Sequence, residues 1–176
     1  MKILVSGLRF APHGRATHPA RPRALILSMD KIFTLSISCI AGAYLSQAYR
    51  FELALAAEST LDELASYILD VVDFEGDHLS SIHLANGPGG RRTWLTARGA
   101  WDEDDEEARD LRLCDLYPLE KHKKLYYDYD PGARWCFEIV RKGRATNAVA
   151  GQDYPCLLRE EGVKPLEYGA DEVDGF

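Results

Sequence analysis

Thr60-Leu61-Asp62-Glu63-Leu64-Ala65-Ser66-Tyr67-Ile68-Leu69-Asp70-Val71-Val72-Asp73 is the stretch on which the fold turns. Thr60 followed three residues later by Glu63 is the reciprocal signature of a helix N-terminus. Asp62 and Glu63 sit where the positive end of the helix dipole favours acids. Leu61, Leu64, Ala65, Ile68, Val71 and Val72 recur at three- and four-residue intervals, which makes one apolar stripe that must lie against a sheet. The pattern predicts a helix ending near Asp73, with Gly76 beyond it.

Strands flank this helix on both sides. Lys31 to Ile40 alternates, with Phe33, Leu35, Ile37 and Cys39 on one face and Thr34, Ser36 and Ser38 on the other. Tyr49 to Ala56 alternates likewise through Tyr49, Phe51, Leu53 and Leu55, so the two segments predict an antiparallel hairpin across a 41–48 loop. Leu79 to Leu84 reads as a weaker strand, and Trp94-Leu95 as a short one after the Asn86 to Gly90 turn cluster. Leu111 to Leu116 predicts a helical turn. Lys124 to Asp130 and Arg134 to Val140 predict a second hairpin about Pro131-Gly132, read as the centre of a type II turn. A hairpin, a helix across one face and a last long strand beside the first is the β-grasp plan. The expected fold is therefore α+β: a β-grasp-like mixed sheet packed on one main helix and extended by a C-terminal hairpin.

Length and charge bound the rest. The chain has 176 residues, enough for a single domain with its own core, and 46 % apolar with 28 % charged residues is an ordinary globular balance. No apolar run approaches the ~20 residues a membrane-spanning helix needs, so no membrane partner is expected. The net charge is −7, yet Lys2, Arg9, Arg15, Arg21 and Arg23 give the first 28 residues +5, which leaves −12 on the remainder. Direct nucleic-acid binding is not expected of so acidic a body. The organisation predicted is a disordered basic extension over 1–28, an α+β domain over 29–143, and a partly disordered tail over 144–176 that packs on the domain. Met29 stands directly before the first strand and is a possible alternative translation start.

The four cysteines, Cys39, Cys114, Cys136 and Cys156, share no metal-ligand spacing, and read as free thiols of a reducing, cytoplasmic compartment. No catalytic group, cofactor or metal site is predicted. Two alternatives stand beside that. Asp128 and Asp130, two apart on one strand face, are a carboxylate pair that could hold a divalent ion with His78 or His122 nearby, as a metal-dependent hydrolase or nuclease of a mobile element would need. Against it, Asp130 would accept backbone N–H bonds at its own turn, leaving Asp128 facing solvent. The acidic run Asp102 to Glu107 is a solvated loop or an acidic decoy for a nucleic-acid-binding partner. Tyr126, Tyr127, Tyr129, Trp135 and Phe137 crowd the second hairpin as core, with any exposed member a recognition surface.

Several of these segments together resemble the plasmid Orf-three-like family, named for the third open reading frame of a root-inducing plasmid. Some of its members carry the label of an insertion-element, TnpR-like passenger protein. The resemblance runs from Lys31 to Tyr168. It lies in Thr60-Leu61-Asp62-Glu63-Leu64 and in Asp77-His78-Leu79-Ser80-Ser81, with Ile82 where the family has an aromatic residue. It also lies in the run Leu125 to Ile139, where Asp130, Gly132, Trp135, Phe137 and Ile139 match, while Pro131 replaces an aromatic residue and Ala133 a second aspartate. Tyr154-Pro155, Gly162, Pro165 and Tyr168 complete it. The resemblance implies no reaction. The recombinase label would require an activated serine amid arginines, and no such constellation is legible. The function expected is a non-enzymatic, cytoplasmic protein-binding or adaptor module, with a link to mobile elements. Its candidate binding residues are His78, Tyr127, Asp128, Asp130 and Trp135, with Pro131 and Gly132 as the structural turn.

Overall fold

The computed structural model describes residues 31–98 and 111–169. The basic segment 1–28 and the acidic run 102–107 therefore lie outside the described residues. The elements in chain order are β1 Lys31–Ala41, β2 Tyr49–Ala56, α1 Leu61–Val72, β3 Ser80–Ala85, β4 Thr93–Arg98, α2 Leu113–Leu116, β5 Lys124–Tyr129, β6 Trp135–Asn147 and β7 Cys156–Gly162.

α1 begins as its sequence dictates. Thr60 Oγ1 accepts the Glu63 N–H at 3.1 Å and Glu63 Oε2 accepts the Thr60 N–H at 3.0 Å, so two of the donors a helix start leaves unpaired are satisfied reciprocally. Asp73 ends the helix in the left-handed region at φ 61°. Leu61, Leu64, Ala65, Ile68, Leu69 and Val72 are buried; Leu69 takes the place expected of Val71, which is half-buried. The 111–114 segment ties down the start of α1, with Leu61 N–H donating to Leu111 O at 2.9 Å and Leu113 N–H to Ser59 O at 2.9 Å.

The strands form one seven-stranded sheet in the order β4-β3-β5-β6-β1-β2-β7. The last long strand does run beside the first, as the plan required. Every pair is antiparallel, however, including β1 with β6, so the mixed sheet expected of a β-grasp core is corrected to an antiparallel one. The physical reason lies in connectivity. Both hairpins put sequence neighbours side by side, and β6 returns from β5 antiparallel to β1. Pairing also continues past residue 143: Lys31 faces Asn147, and Cys156–Gly162 adds a strand beyond β2. The tail thus contributes an edge strand to the sheet.

One face of the sheet carries the core. Leu35, Ile37, Phe51, Leu55, Tyr127, Trp135, Phe137 and Ile139 pack with the buried stripe of α1 and with Phe74. The opposite face carries the alternate residues. One cross-strand row spans all seven strands there: Trp94, His83, Tyr126, Glu138, Ser38, Arg50 and Glu161. Neither described helix contributes to that row, and it leads to the site.

Candidate functional site

At one end of the face opposite α1 lies a concavity of about 830 Å³, bounded by the ends of β1 and β3, by β4, and by the β5–β6 turn. Register makes it. β3 aligns Ser81 with Asp128 and His83 with Tyr126, while β4 lays Trp94 beside His83. His83 stacks on Tyr126 with ring centroids 5.4 Å apart and meets the edge of Trp94 at 5.1 Å. Trp94 is 56 % exposed and lines the cavity, whereas Trp135 is fully buried. An indole left half in water is the residue type that partners bury.

Charge is placed beside that ring. Arg92 Nη1 donates to Asp128 Oδ2 at 2.8 Å, and its guanidinium carbon stands 5.2 Å from the centre of Trp94. One cation thus takes both an ion pair and a ring face. His83 Nδ1 lies 3.4 Å from the same Asp128 oxygen, without the geometry of a hydrogen bond. Burial holds the His83 imidazole below its usual range; Asp128 opposes that and Arg92 adds to it. Trp135 lines the cavity as well, and its Nε1 donor is buried with no hydrogen-bond partner among the described residues. His83 Nδ1 and Trp135 Nε1 are thus buried without a hydrogen bond among the described residues, a cost to the fold.

Of the expected site residues, Asp128, Asp130 and Trp135 line this cavity together with Pro131 of the turn, whereas His78 and Tyr127 do not. Tyr127 and Trp135 belong to the core beneath α1. His78 lies at the edge of that layer, against Tyr129 and Tyr168 at centroid distances of 5.7 and 6.3 Å. Asp128 lines the cavity from β5, as Tyr129 does, and it is paired rather than simply solvent-facing. Asp130 lies just past the strand, at φ 51°, so the shared strand face expected of Asp128 and Asp130 is corrected. Its Oδ1 accepts the Gly132 N–H at 2.8 Å, the self-contained turn bond that the sequence left as the alternative. The turn is not type II. Gly132 does not take a positive φ; Asp130 and Arg134 do, and Arg134 N–H donates across five residues to Asp130 O at 2.6 Å. His122 stands two residues before β5, at the end opposite Asp128.

No thiol is activated at the cavity. Burial first, then the adjacent Asp128 carboxylate, pushes the Cys136 thiol far above its ordinary range. Burial likewise pushes Cys39 up to about 12. All four cysteines are free.

Arg92, His83 and Trp94 were not singled out by motif. Their association depends on β3 pairing with β5 across some forty residues of chain, a register that no local pattern encodes. The available signal was weak: an arginine pair just after a glycine-rich turn, next to a tryptophan.

An antiparallel sheet packed on one face against α1, with an aromatic and ionic hollow on the other face, defines an α+β fold. The chain belongs to the plasmid pRiA4b ORF-3-like family, whose profile matches residues 46–174. That span begins later than Lys31 and leaves β1 outside it. The fold is similar to the crystal structure of MM3350, a protein of unknown function from Methanosarcina mazei Go1, at a TM-score of 0.58 and 21 % identity, over 76 % of this chain and 71 % of that one. No curated protein matches the sequence. Among the described residues, no helix is long and apolar enough to cross a membrane.

Proposed function

We propose that this chain is a non-enzymatic protein-binding or adaptor module that receives a basic segment of its partner in the hollow on the sheet face opposite α1. Trp94 carries the proposal: a half-exposed indole beside the Asp128 carboxylate, with Arg92 already resting on both. Arg92 acts as an internal placeholder. A lysine or arginine from the partner displaces it, gaining the ring face and the carboxylate together. The net charge of −7 favours approach of such a partner. Free cysteines support a reducing, cytoplasmic setting, and a partner encoded on a mobile element is in keeping with the plasmid origin of the family name.

The test selects peptides from a random library on the whole chain and measures the winners by fluorescence anisotropy. The reading expects Lys- or Arg-containing sequences whose binding weakens with salt and falls at least tenfold in Trp94→Ala and in Asp128→Asn. Acidic winners, or winners indifferent to both substitutions, overturn it.

A further inference from the structure

We propose that Asp77, His78 and Glu167 bind one divalent transition-metal ion of the Zn²⁺ class, which clasps the C-terminal segment to the loop between α1 and β3. This site is separate from the Asp128 hollow and independent of the partner it takes.

The three residues come from two distant stretches, yet one ligand atom from each lies within 4.8 Å of the other two. Asp77 Oδ1 and His78 Nε2 are 3.5 Å apart. Two tetrahedral ligands of one zinc ion, each ~2.1 Å from it, stand about 3.4 Å apart, so this edge is already at coordination length. An imidazole with two carboxylates is a borderline nitrogen and oxygen set that suits such ions better than calcium or magnesium.

A second observation concerns charge rather than spacing. Glu167 is only 6 % exposed, and among the described residues no lysine or arginine pairs with it, with Asp77 or with Glu75. The nearest cation in sequence, Lys164, is engaged by Asp73 at 2.8 Å. Buried carboxylates are ordinarily matched by a cation or coordinate a metal.

The surroundings orient the ligands. Glu167 accepts the Glu75 N–H at 2.7 Å through Oε2 and the Tyr129 hydroxyl at 2.8 Å through Oε1. The Tyr129 hydroxyl in turn accepts the Gly76 N–H at 3.0 Å. One phenol therefore ties both contributing segments to β5, in the way outer-shell partners fix ligands at metal sites. Three protein ligands leave a fourth position for water.

The full chain, stripped with a chelator, is titrated calorimetrically with Zn²⁺, and then with Co²⁺ while its visible spectrum is followed. One ion per chain is expected, with affinity falling at least tenfold in His78→Ala and in Asp77→Asn, and about 10–100-fold in Tyr129→Phe. The Co²⁺ spectrum should lack a thiolate charge-transfer band. The side chains of His78 and Asp77 are 36 % and 59 % exposed, so those variants fold even if Glu167→Gln does not. Absence of binding, binding indifferent to both substitutions, or a thiolate band overturns the assignment.

Discussion

Gly42 offers the sharpest test of how the sheet is built around Trp135. A Cβ at Gly42 would fall inside the indole, 2.7 Å from Cδ2 and nearer still to Cε3 and Cζ3. The ring cannot yield, because Trp135 is fully buried and the Phe74 ring packs tilted against it, centroids 4.9 Å apart, on the core side. The backbone at Gly42 is not in the left-handed region, so Gly42→Ala isolates the clash from conformational strain. Without a clash, Gly→Ala would stabilise by about 0.4–1 kcal/mol through the unfolded chain. Overpacking a dense core costs about 1–3 kcal/mol. With three ring atoms overlapped the upper half of that range applies, for a net loss of about 2 kcal/mol, or about 4–8 °C in Tm for a chain of this size. Urea unfolding followed by far-UV circular dichroism measures the midpoint, and an unchanged m-value excludes a denatured-state origin. Trp135→Phe in the same chain should recover part of the loss, a coupling that only contacting residues show. A neutral or stabilised Gly42→Ala protein would refute this packing.

Three further outcomes follow from the geometry. Thr60→Ala removes one half of the reciprocal cap on α1 and should cost about 1 kcal/mol in urea unfolding; an unchanged midpoint would mean that the helix start is held by 111–114 alone. Asp130→Asn keeps a side-chain acceptor and tolerates φ 51°, so it should stay within about 0.5 kcal/mol of wild type, whereas Asp130→Ala should lose about 1 kcal/mol or more. Equal losses in the two would contradict the turn assignment. Because burial depresses His83 below 6.5, the unfolded chain takes up its proton first as pH falls. His83 stability is therefore complete above that value and is lost below it, at no more than about 1.4 kcal/mol per pH unit. Urea midpoints between pH 7.5 and 5 should fall more steeply in wild type than in His83→Gln, and parallel slopes would remove His83 from the account.

What the residues disclose in advance divides along a physical line. α1 was legible to its caps because Thr60, Glu63 and the apolar spacing act within a few residues of one another. Both hairpins were legible because alternation is local, and their partners are the next segments along the chain. Strand direction across β1 and β6, the sixth strand's run to Asn147, and β7 on the edge were not legible. They are set by burial against distant segments. The site followed the same rule. Asp128 was identifiable as a carboxylate on a strand, but its partners Arg92 and His83 arrive through β3 and the turn before β4. Asp130 was misplaced by one residue, since a strand that stops at Tyr129 turns its successor into a left-handed corner. Glu167 gave no signal, because a lone acid in a loop-like tail looks solvated until β7 carries the chain back past Tyr129.

The binding site proposed in the hollow beside Trp94 is examined most directly by a ¹⁵N amide and indole NMR titration of the whole chain with a selected basic peptide. Shifts should concentrate on the Trp94 indole, Ser81, Arg92 and Asp128, and leave the amides of α1 unmoved. A footprint confined to α1 or to β7, or no footprint at concentrations where the peptide binds, would contradict it.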